Sequence, residues 1–230
     1  AYLSFSGTNN YLTGDGTISG NRGSGNGRNG IDLSGNITGT TVLVPNEIPY
    51  TGYLTVPEGQ TLRVGPGVVV KPSGIYVSGN LEALGTADEP VIFTSLKDDS
   101  IGGDTNNDGA ASVPERGDWN EIRVYPTGSA TFDHTVVRYG GPTNSGIDAN
   151  IYVDRGELTV TNSTIAYSGE YGVYANRASP VISSSQVISN NTYGIYVEVR
   201  ILKTFLPIYP ANIELQMIAI LNGANESINC

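Results

Sequence analysis

The stretch that decides the fold is Leu158 to Val197, which reads LTVTNSTIAYSGEYGVYANRAS and then PVISSSQVISNNTYGIYV. The second part repeats the first at a spacing of about 22 residues. Each copy alternates apolar with small polar residues, which is typical of short β-strands, and is too short to bury its own apolar side chains. The copies must therefore stack on each other. The equivalent positions are Val160 and Ile182, Ile165 and Val187, Gly169 and Asn191, Tyr171 and Tyr193, Gly172 and Gly194, Val173 and Ile195, and Tyr174 and Tyr196.

The same period extends towards the N-terminus. Turn-forming Pro-Glu-Gly and Gly-Pro-Gly segments separate short apolar runs there, so each repeat is predicted to hold about three short strands that pair in parallel with the next repeat. This pattern predicts an all-β solenoid with about 22 residues in each coil. The recurring apolar positions are Leu54, Leu62 and Val70, followed by Tyr76, Leu84 and Ile92.

Three parts of the chain are distinguished by their patterns. Residues 1–40 form irregular N-terminal coils, and residues 41–199 form the regular coils with an acidic insertion at residues 98–118. Residues 200–230 are bulky, poor in glycine and apolar at helical spacing, which predicts a different element. A stacked end exposes strand edges, so this tail is predicted to cap the last coil. Oligomerisation through the tail or the end coils is the alternative.

Composition limits the function. The formal net charge is -10, so a polyanion such as nucleic acid is repelled. The single cysteine, Cys230, allows neither an intrachain disulfide nor a cysteine metal site. The chain lacks an apolar run of about 18 residues, so no membrane span is predicted.

Several phrases resemble the right-handed parallel β-helix proteins of the pectin-lyase-like superfamily, and among them the secreted or surface-attached repeat proteins of bacteria and archaea. The resemblance implies a single-stranded right-handed parallel β-helix, a secreted or cell-surface location and polysaccharide as a partner. It does not choose an activity, because the superfamily includes lyases, hydrolases, adhesins and proteins without a known reaction. The phrases are GYLTVPEGQTLRVGPGVVVK (52–71), GNLEALGTADEPVIFTS (79–95), GDWNEIRV (117–124), FDHTVVRYGG (132–141) and NNTYGIYV (190–197).

The acidic insertion contains a pattern of calcium-binding loops. Residues 104–115 read DTNNDGAASVPE, which matches the spacing of oxygen ligands in an EF-hand-type loop, with Gly109 at the sharp bend. Flanking helices are not predicted, so the match is to the loop and not to an EF-hand domain. A bound Ca²⁺ would relieve the repulsion between the carboxylates and fix the long loop to the sheet. The predicted ligands are Asp104, Asn106, Asp108, the carbonyl of Ala110, Ser112 and Glu115.

Two questions about this loop stay open at the level of sequence. Asp98, Asp99 or Asp118 could replace Glu115 as the closing ligand, because Pro114 stands beside Glu115. Asp, Asn and Gly are also ordinary turn formers, so a solvated acidic loop without an ion is the alternative interpretation.

The resemblance also suggests a calcium-dependent lyase of the pectate or alginate type, in which an Arg or Lys removes the proton next to a uronate carboxylate. Arg123 and Arg138 are the candidates, because they follow the insertion in successive strand segments. Arginines on strands are more often solvated or paired with a carboxylate. Other candidate bases are Lys71, Lys97 and Arg116.

Tyrosines recur at the repeat spacing and offer apolar rings with a polar tip, which suits stacking against sugars. Ladders of like residues also arise from stacking alone. The main hypothesis is a calcium-stabilised extracellular module that binds or displays towards polysaccharide without catalysis. The rivals are the lyase and a purely structural repeat of a larger adhesin. The candidate ligand-binding residues are Tyr171, Tyr174, Tyr193 and Tyr196.

Overall fold

A computed structural model describes residues 2–4, 11–12, 18–142 and 146–199. All the regular secondary structure in these ranges is β-strand. The strands are β1 (Tyr2–Ser4), β2 (Tyr11–Leu12), β3 (Ile31–Ile37), β4 (Thr40–Leu43), β5 (Tyr50–Val56), β6 (Thr61–Val64), β7 (Val69–Val77), β8 (Asn80–Leu84), β9 (Val91–Phe93), β10 (Ile122–Val124), β11 (Ser129–Asp133), β12 (Thr135–Arg138), β13 (Ala149–Asp154), β14 (Glu157–Thr161), β15 (Thr164–Ala166), β16 (Tyr171–Asn176), β17 (Val181–Ser183), β18 (Gln186–Ile188) and β19 (Tyr193–Glu198).

The strands form two parallel sheets. One has six strands in the order β17-β14-β11-β8-β6-β4. The other has 13 strands, nine of which follow the path β18-β15-β12-β9-β7-β10-β13-β16-β19. The path begins and ends with strands that are consecutive in the sequence, so these nine strands form a nearly closed, barrel-like arrangement. From the N-terminal region, β1 and β2 both pair with β3, which pairs with β5.

The all-β class is confirmed, but the predicted single-stranded β-helix, a solenoid of coils of about 22 residues, is wrong. The connections between consecutive strands differ greatly in length: residues 94–121 join β9 to β10, and residues 139–148 join β12 to β13. A spacing read from the last repeats therefore does not extend along the chain. Paired residues are separated by 19 positions for Arg63 and Glu82, by 49 for Asn80 and Ser129, by 28 for Asp133 and Thr161, and by 22 for Asp154 and Asn176.

The pairing predicted from the repeat at 158–197 is confirmed for the strand residues. Val160 lies opposite Ile182, Ile165 opposite Val187, and the tyrosines pair as Tyr171 with Tyr193 and Tyr174 with Tyr196. The earlier alignment is wrong by one to three residues, because a register shift at Gly52 and Tyr53 and shorter turns alter the spacing. Leu54 pairs with Ile75, Leu62 with Leu81 and Val70 with Phe93.

The core lies between the two sheets and follows the alternation of the strands. In β6, Leu62 and Val64 are buried while Arg63 is exposed, as expected for a half-buried strand. Each fully buried side chain of this size contributes about 1.5–3 kcal/mol. Phe93 and Phe132 meet edge to face with ring centroids 6.2 Å apart. This apolar interior fixes the strands, and the candidate sites lie on the loops and outward-facing side chains that the strands carry.

The predicted cap at residues 200–230 lies outside the described residues. Its role stays a prediction.

Candidate functional site

The acidic loop, residues 98–118, leaves the sheet after β9 and returns at β10, and Lys71 anchors it. Lys71 lies in β7 and is only 2% exposed. Its Nζ donates to the backbone oxygens of Asp98 and Gly103, both at 2.9 Å, and to Thr105 Oγ1 at 2.7 Å. Burial lowers the pKa of Lys71, and the carboxylates of the loop oppose that shift. The lysine is therefore a structural cation under the loop, and its three hydrogen bonds offset the cost of burying its charge.

Hydrogen bonds within the loop close the turn that the sequence pattern predicts. The carboxylate of Asp104 accepts the backbone N–H groups of Asp108 at 3.1 Å and Gly109 at 2.9 Å. Gly109 has a φ of 75°, which a residue with a Cβ rarely adopts. Asn106 Nδ2 donates to Asp108 Oδ2 at 2.8 Å and to Ser112 Oγ at 2.9 Å. The DxNxDG segment is thus a compact turn that its own side chains close.

Three carboxylates converge at this turn. Oxygens of Asp99, Asp104 and Asp108 lie within 4.8 Å of one another. Asp99 Oδ1 and Asn106 Oδ1 are buried and have no hydrogen-bond partner among the described residues. Burial, followed by the charges of Asp104 and Asp108, raises the pKa of Asp99 above its usual value. The residues present are hard oxygen donors of the kind that Ca²⁺ takes.

The other predicted ligands have different positions. Glu115 is exposed and is not one of the three converging carboxylates, and its backbone N–H donates to Asp118 Oδ2 at 2.9 Å. Asp118 also pairs with Lys97 at 2.7 Å, and Asp98 pairs with Arg138 at 2.5 Å. Of the three alternatives to Glu115, the structure brings Asp99 to the cluster. Ser112 donates to Asp108, and Ala110 is an exposed residue of the same turn.

Both candidate lyase bases are paired with carboxylates. Arg123 Nε lies 2.6 Å from Glu121 Oε1. Burial lowers the pKa of Arg123, but the Glu121 carboxylate outweighs it, so the net shift is upwards. Arg138 donates to Asp98 at 2.5 Å and to Thr94 Oγ1 at 3.1 Å. A general base needs a lowered pKa and a free nitrogen, so this geometry does not favour either arginine as a base.

The four predicted tyrosines form one cluster on the outer surface of the sheet, called the tyrosine face. Tyr171 and Tyr193 stack with ring centroids 6.0 Å apart, and Tyr174 and Tyr196 stack at 5.0 Å. Tyr171 also lies 5.3 Å from Tyr196, which joins the two ladders. Tyr174 is 7% exposed, and the other three are partly exposed. The exposed part of the cluster is therefore contributed mainly by Tyr171, Tyr193 and Tyr196.

Carboxylates border this face. Tyr174 Oη donates to Glu198 Oε2 at 2.9 Å. Burial and then the hydrogen bond to Glu170 raise the pKa of Tyr171 to about 12. Burial and Glu198 also raise the pKa of Tyr174. Both hydroxyls stay protonated at neutral pH and hold the two carboxylates beside the rings.

The tyrosine face continues along a row that the sequence analysis missed. Tyr76, Arg123 and Tyr152 occupy the same register position as Tyr174 and Tyr196 on five successive strands. The Arg123 guanidinium lies 4.4 Å from the centre of the Tyr152 ring, and Tyr152 meets Tyr174 at 5.3 Å. The signal was present in the sequence, because an outward residue stands between two small apolar ones in IYV, IRV, IYV, VYA and IYV.

Comparison of the chain with protein families, with curated proteins and with solved structures gives no match. No helix that is long and apolar enough to cross a membrane occurs in the described part of the chain. The functional conclusions therefore depend on the geometry of the acidic loop and the tyrosine face.

Proposed function

We propose that this protein is an extracellular, non-catalytic module that holds Ca²⁺ in its acidic loop and contacts polysaccharide through its tyrosine face. The observation that carries the proposal is the convergence of Asp99, Asp104 and Asp108, whose oxygens lie within 4.8 Å of one another. Carboxylates at this separation repel one another, and a divalent cation between them removes the repulsion.

The donor set fits calcium by number and type. Ca²⁺ takes about six to eight oxygens and tolerates irregular geometry, whereas Mg²⁺ demands a nearly ideal octahedron. The loop supplies the carboxylates of Asp99, Asp104 and Asp108, and the buried side-chain oxygen of Asn106 is without a partner in the described structure. Ser112 and the carbonyl of Ala110 are two further ligands that the spacing predicts, and in this set Asp99 takes the place of Glu115.

The polysaccharide part is supported by the tyrosine face. Its rings give apolar surface with hydroxyl groups at the edge, which suits the alternating apolar and polar faces of sugars. The absence of catalysis is supported by the pairing of Arg123 with Glu121 and of Arg138 with Asp98.

Calorimetric titration of the chelator-treated protein with CaCl₂ tests the metal site. The wild type is expected to bind one ion with a dissociation constant of about 10⁻⁴–10⁻³ M, the range of extracellular modules. Asp99→Asn and Asp108→Asn are each expected to weaken binding by about tenfold or more, because each removes a charged ligand. Glu115→Gln is the matched control and should bind as the wild type does. A wild type that releases no heat, or a Glu115→Gln variant as impaired as Asp99→Asn, contradicts the proposal.

Affinity electrophoresis through gels containing polysaccharide tests the face. Tyr193→Ala and Tyr196→Ala are expected to abolish the retardation of the wild type, because each removes a ring and opens the ladder. Tyr167→Ala is the control, since Tyr167 is 38% exposed and stacks only against Tyr139 among the described rings. If the protein forms unsaturated uronate products in a calcium-containing assay, and Arg123→Ala or Arg138→Ala abolishes them, the lyase hypothesis replaces the non-catalytic module. If no polysaccharide retards the protein, the remaining hypothesis is a structural repeat of a larger adhesin.

A further inference from the structure

A glycine-rich segment near the N-terminus, residues 18–30, is called the strap because it is held at both ends. At the first end, Asn46 Nδ2 donates to Ile18 O at 3.0 Å, and the backbone N–H of Asn21 donates to Asn46 Oδ1 at 2.9 Å. Residues 24–28, in the middle, are all exposed and belong to no strand. The contacts of the strap with the rest of the molecule therefore cluster at its two ends.

The second end of the strap is attached to the acidic loop. The backbone N–H of Asn29 donates to Thr105 O at 2.8 Å, and Asn29 Nδ2 donates to Asp104 O at 3.1 Å. Gly30 packs so closely that an added Cβ would lie 2.8 Å from Thr51 Cγ2 and 3.4 Å from Thr105 Cγ2. Asp104 is a proposed calcium ligand through its side chain, and it holds the strap through its carbonyl group.

Both roles of Asp104 depend on the same short piece of backbone. In the absence of an ion, the carboxylates of Asp99, Asp104 and Asp108 repel one another, because their oxygens lie within 4.8 Å. An ion between them would remove this repulsion and fix the backbone at residues 104–105, which carries the two acceptors for Asn29. An ion that binds more tightly when the strap is attached shifts the equilibrium towards the attached state.

The strap also forms part of a cleft on the outer surface. Arg28, the neighbour of Asn29, lines a cleft of about 270 Å³ together with Ser73, Trp119 and Asn120. Asn120 Nδ2 donates to Tyr76 Oη at 3.3 Å, so the cleft lies beside one end of the row that continues the tyrosine face. The position of the strap therefore determines the shape of this cleft.

We propose that Ca²⁺ in the acidic loop controls the strap. The ion holds Asn29 against Asp104 and Thr105, and its removal releases the strap at this end and opens the cleft at Arg28. This inference depends on the proposed calcium site and adds a regulatory role to it. Linkage requires the reverse effect as well, so release of the strap weakens calcium binding by the same factor. Asn29 acts through the backbone of Asp104 and is not itself one of the proposed ligands.

Amide hydrogen exchange, followed for individual residues by NMR on the full chain, compares the protein in CaCl₂ and in chelator. At a calcium concentration of about ten times the dissociation constant, exchange of the Asn29 amide is expected to slow by up to about tenfold, because the ion stabilises the attached state by a factor of 1 + [Ca²⁺]/Kd. Trypsin cleavage after Arg28 should slow for the same reason. The Asn21 amide, which donates to Asn46 at the other end, is the internal control and should exchange equally in both conditions.

Two asparagine variants test the reverse effect by calorimetric titration with CaCl₂. Asn29→Ala removes the side-chain hydrogen bond to Asp104 O and is expected to weaken calcium binding by about threefold. Asn21→Ala is the matched control, because it removes side-chain hydrogen bonds to Ser19 O and Asn46 Oδ1 at the other end of the strap, and it should bind calcium as the wild type does.

The outcomes separate this inference from the calcium site on which it depends. If the wild type binds calcium but the Asn29 amide exchanges equally with and without the ion, or if both variants lose the same affinity, the strap is independent of the ion and the inference is wrong. If the wild type binds no calcium, the proposed metal site fails and this inference fails with it.

Discussion

Replacement of Lys71 by methionine tests whether a buried cation holds the acidic loop. Lys71 is 2% exposed, and its ammonium donates to Asp98 O, Gly103 O and Thr105 Oγ1 at 2.7–2.9 Å. Lys71→Met keeps the aliphatic stem but leaves three buried acceptors without their donor. Each hydrogen bond from a charged donor contributes about 1.5–3 kcal/mol, and relief from burying the ammonium offsets several kcal/mol of this sum. We expect a net loss of about 3 kcal/mol in the free energy of unfolding.

Urea unfolding, followed by circular dichroism and by the fluorescence of Trp119, measures this loss. Lys97→Met is the matched control, because Lys97 pairs with Asp118 at 2.7 Å but its side chain is 39% exposed. A pair of this kind contributes about 1 kcal/mol or less. A Lys71→Met protein within about 1 kcal/mol of the wild type, or no less stable than Lys97→Met, would refute the anchoring role.

Three further predictions concern the sheets. Phe132→Ala should lower the free energy of unfolding by about 3–5 kcal/mol because it opens a cavity beside Phe93, whereas Phe132→Leu should lose less than about 1.5 kcal/mol, and urea unfolding compares them. Gly52→Ala should cost more than about 2 kcal/mol, since Gly52 has a φ of 109° and an added Cβ would lie 2.2 Å from Leu33 O; a thermal midpoint equal to the wild type would contradict this. Burial, opposed by Arg123, raises the pKa of Glu121 from 4.5, so the folded state binds this proton more tightly than the unfolded one. Stability should therefore fall as pH rises from 4.5 through the raised pKa, and Glu121→Gln should flatten that slope in thermal unfolding.

The sequence predicted parallel strand pairing correctly where the connections have equal length. Val173 and Tyr174 lie opposite Ile195 and Tyr196 because the two repeats have the same number of residues in each turn. The prediction failed upstream, where the register shift at Gly52 changes the count. A constant period also could not describe a sheet whose connections hold long insertions.

The candidate site was predicted in part for a similar reason. Asp104 and Asp108 are four residues apart, and one local turn brings them together, so the spacing sufficed. Asp99, which the sequence offered as one of three alternatives to Glu115, joins them from just outside the motif. Lys71 reaches the loop across 27 to 34 positions, through contacts that no local pattern encodes. The recurring tripeptides IRV and IYV mark Arg123 and Tyr152 in the sequence. The pairing of these two residues could not be predicted, because the connections between their strands and the neighbouring ones have unequal lengths.

The unequal connections have a consequence for protein engineering. Asn80 and Ser129 remain partners across 49 positions, as Asp154 and Asn176 do across 22, so the sheets keep their alignment whatever the length of the excursion between them. Foreign peptides grafted into such an excursion, away from the Lys71 contacts and the proposed calcium ligands, should leave the pairing of both sheets unchanged. The fold is in this sense a scaffold for display, because strand pairing tolerates connections of very different length.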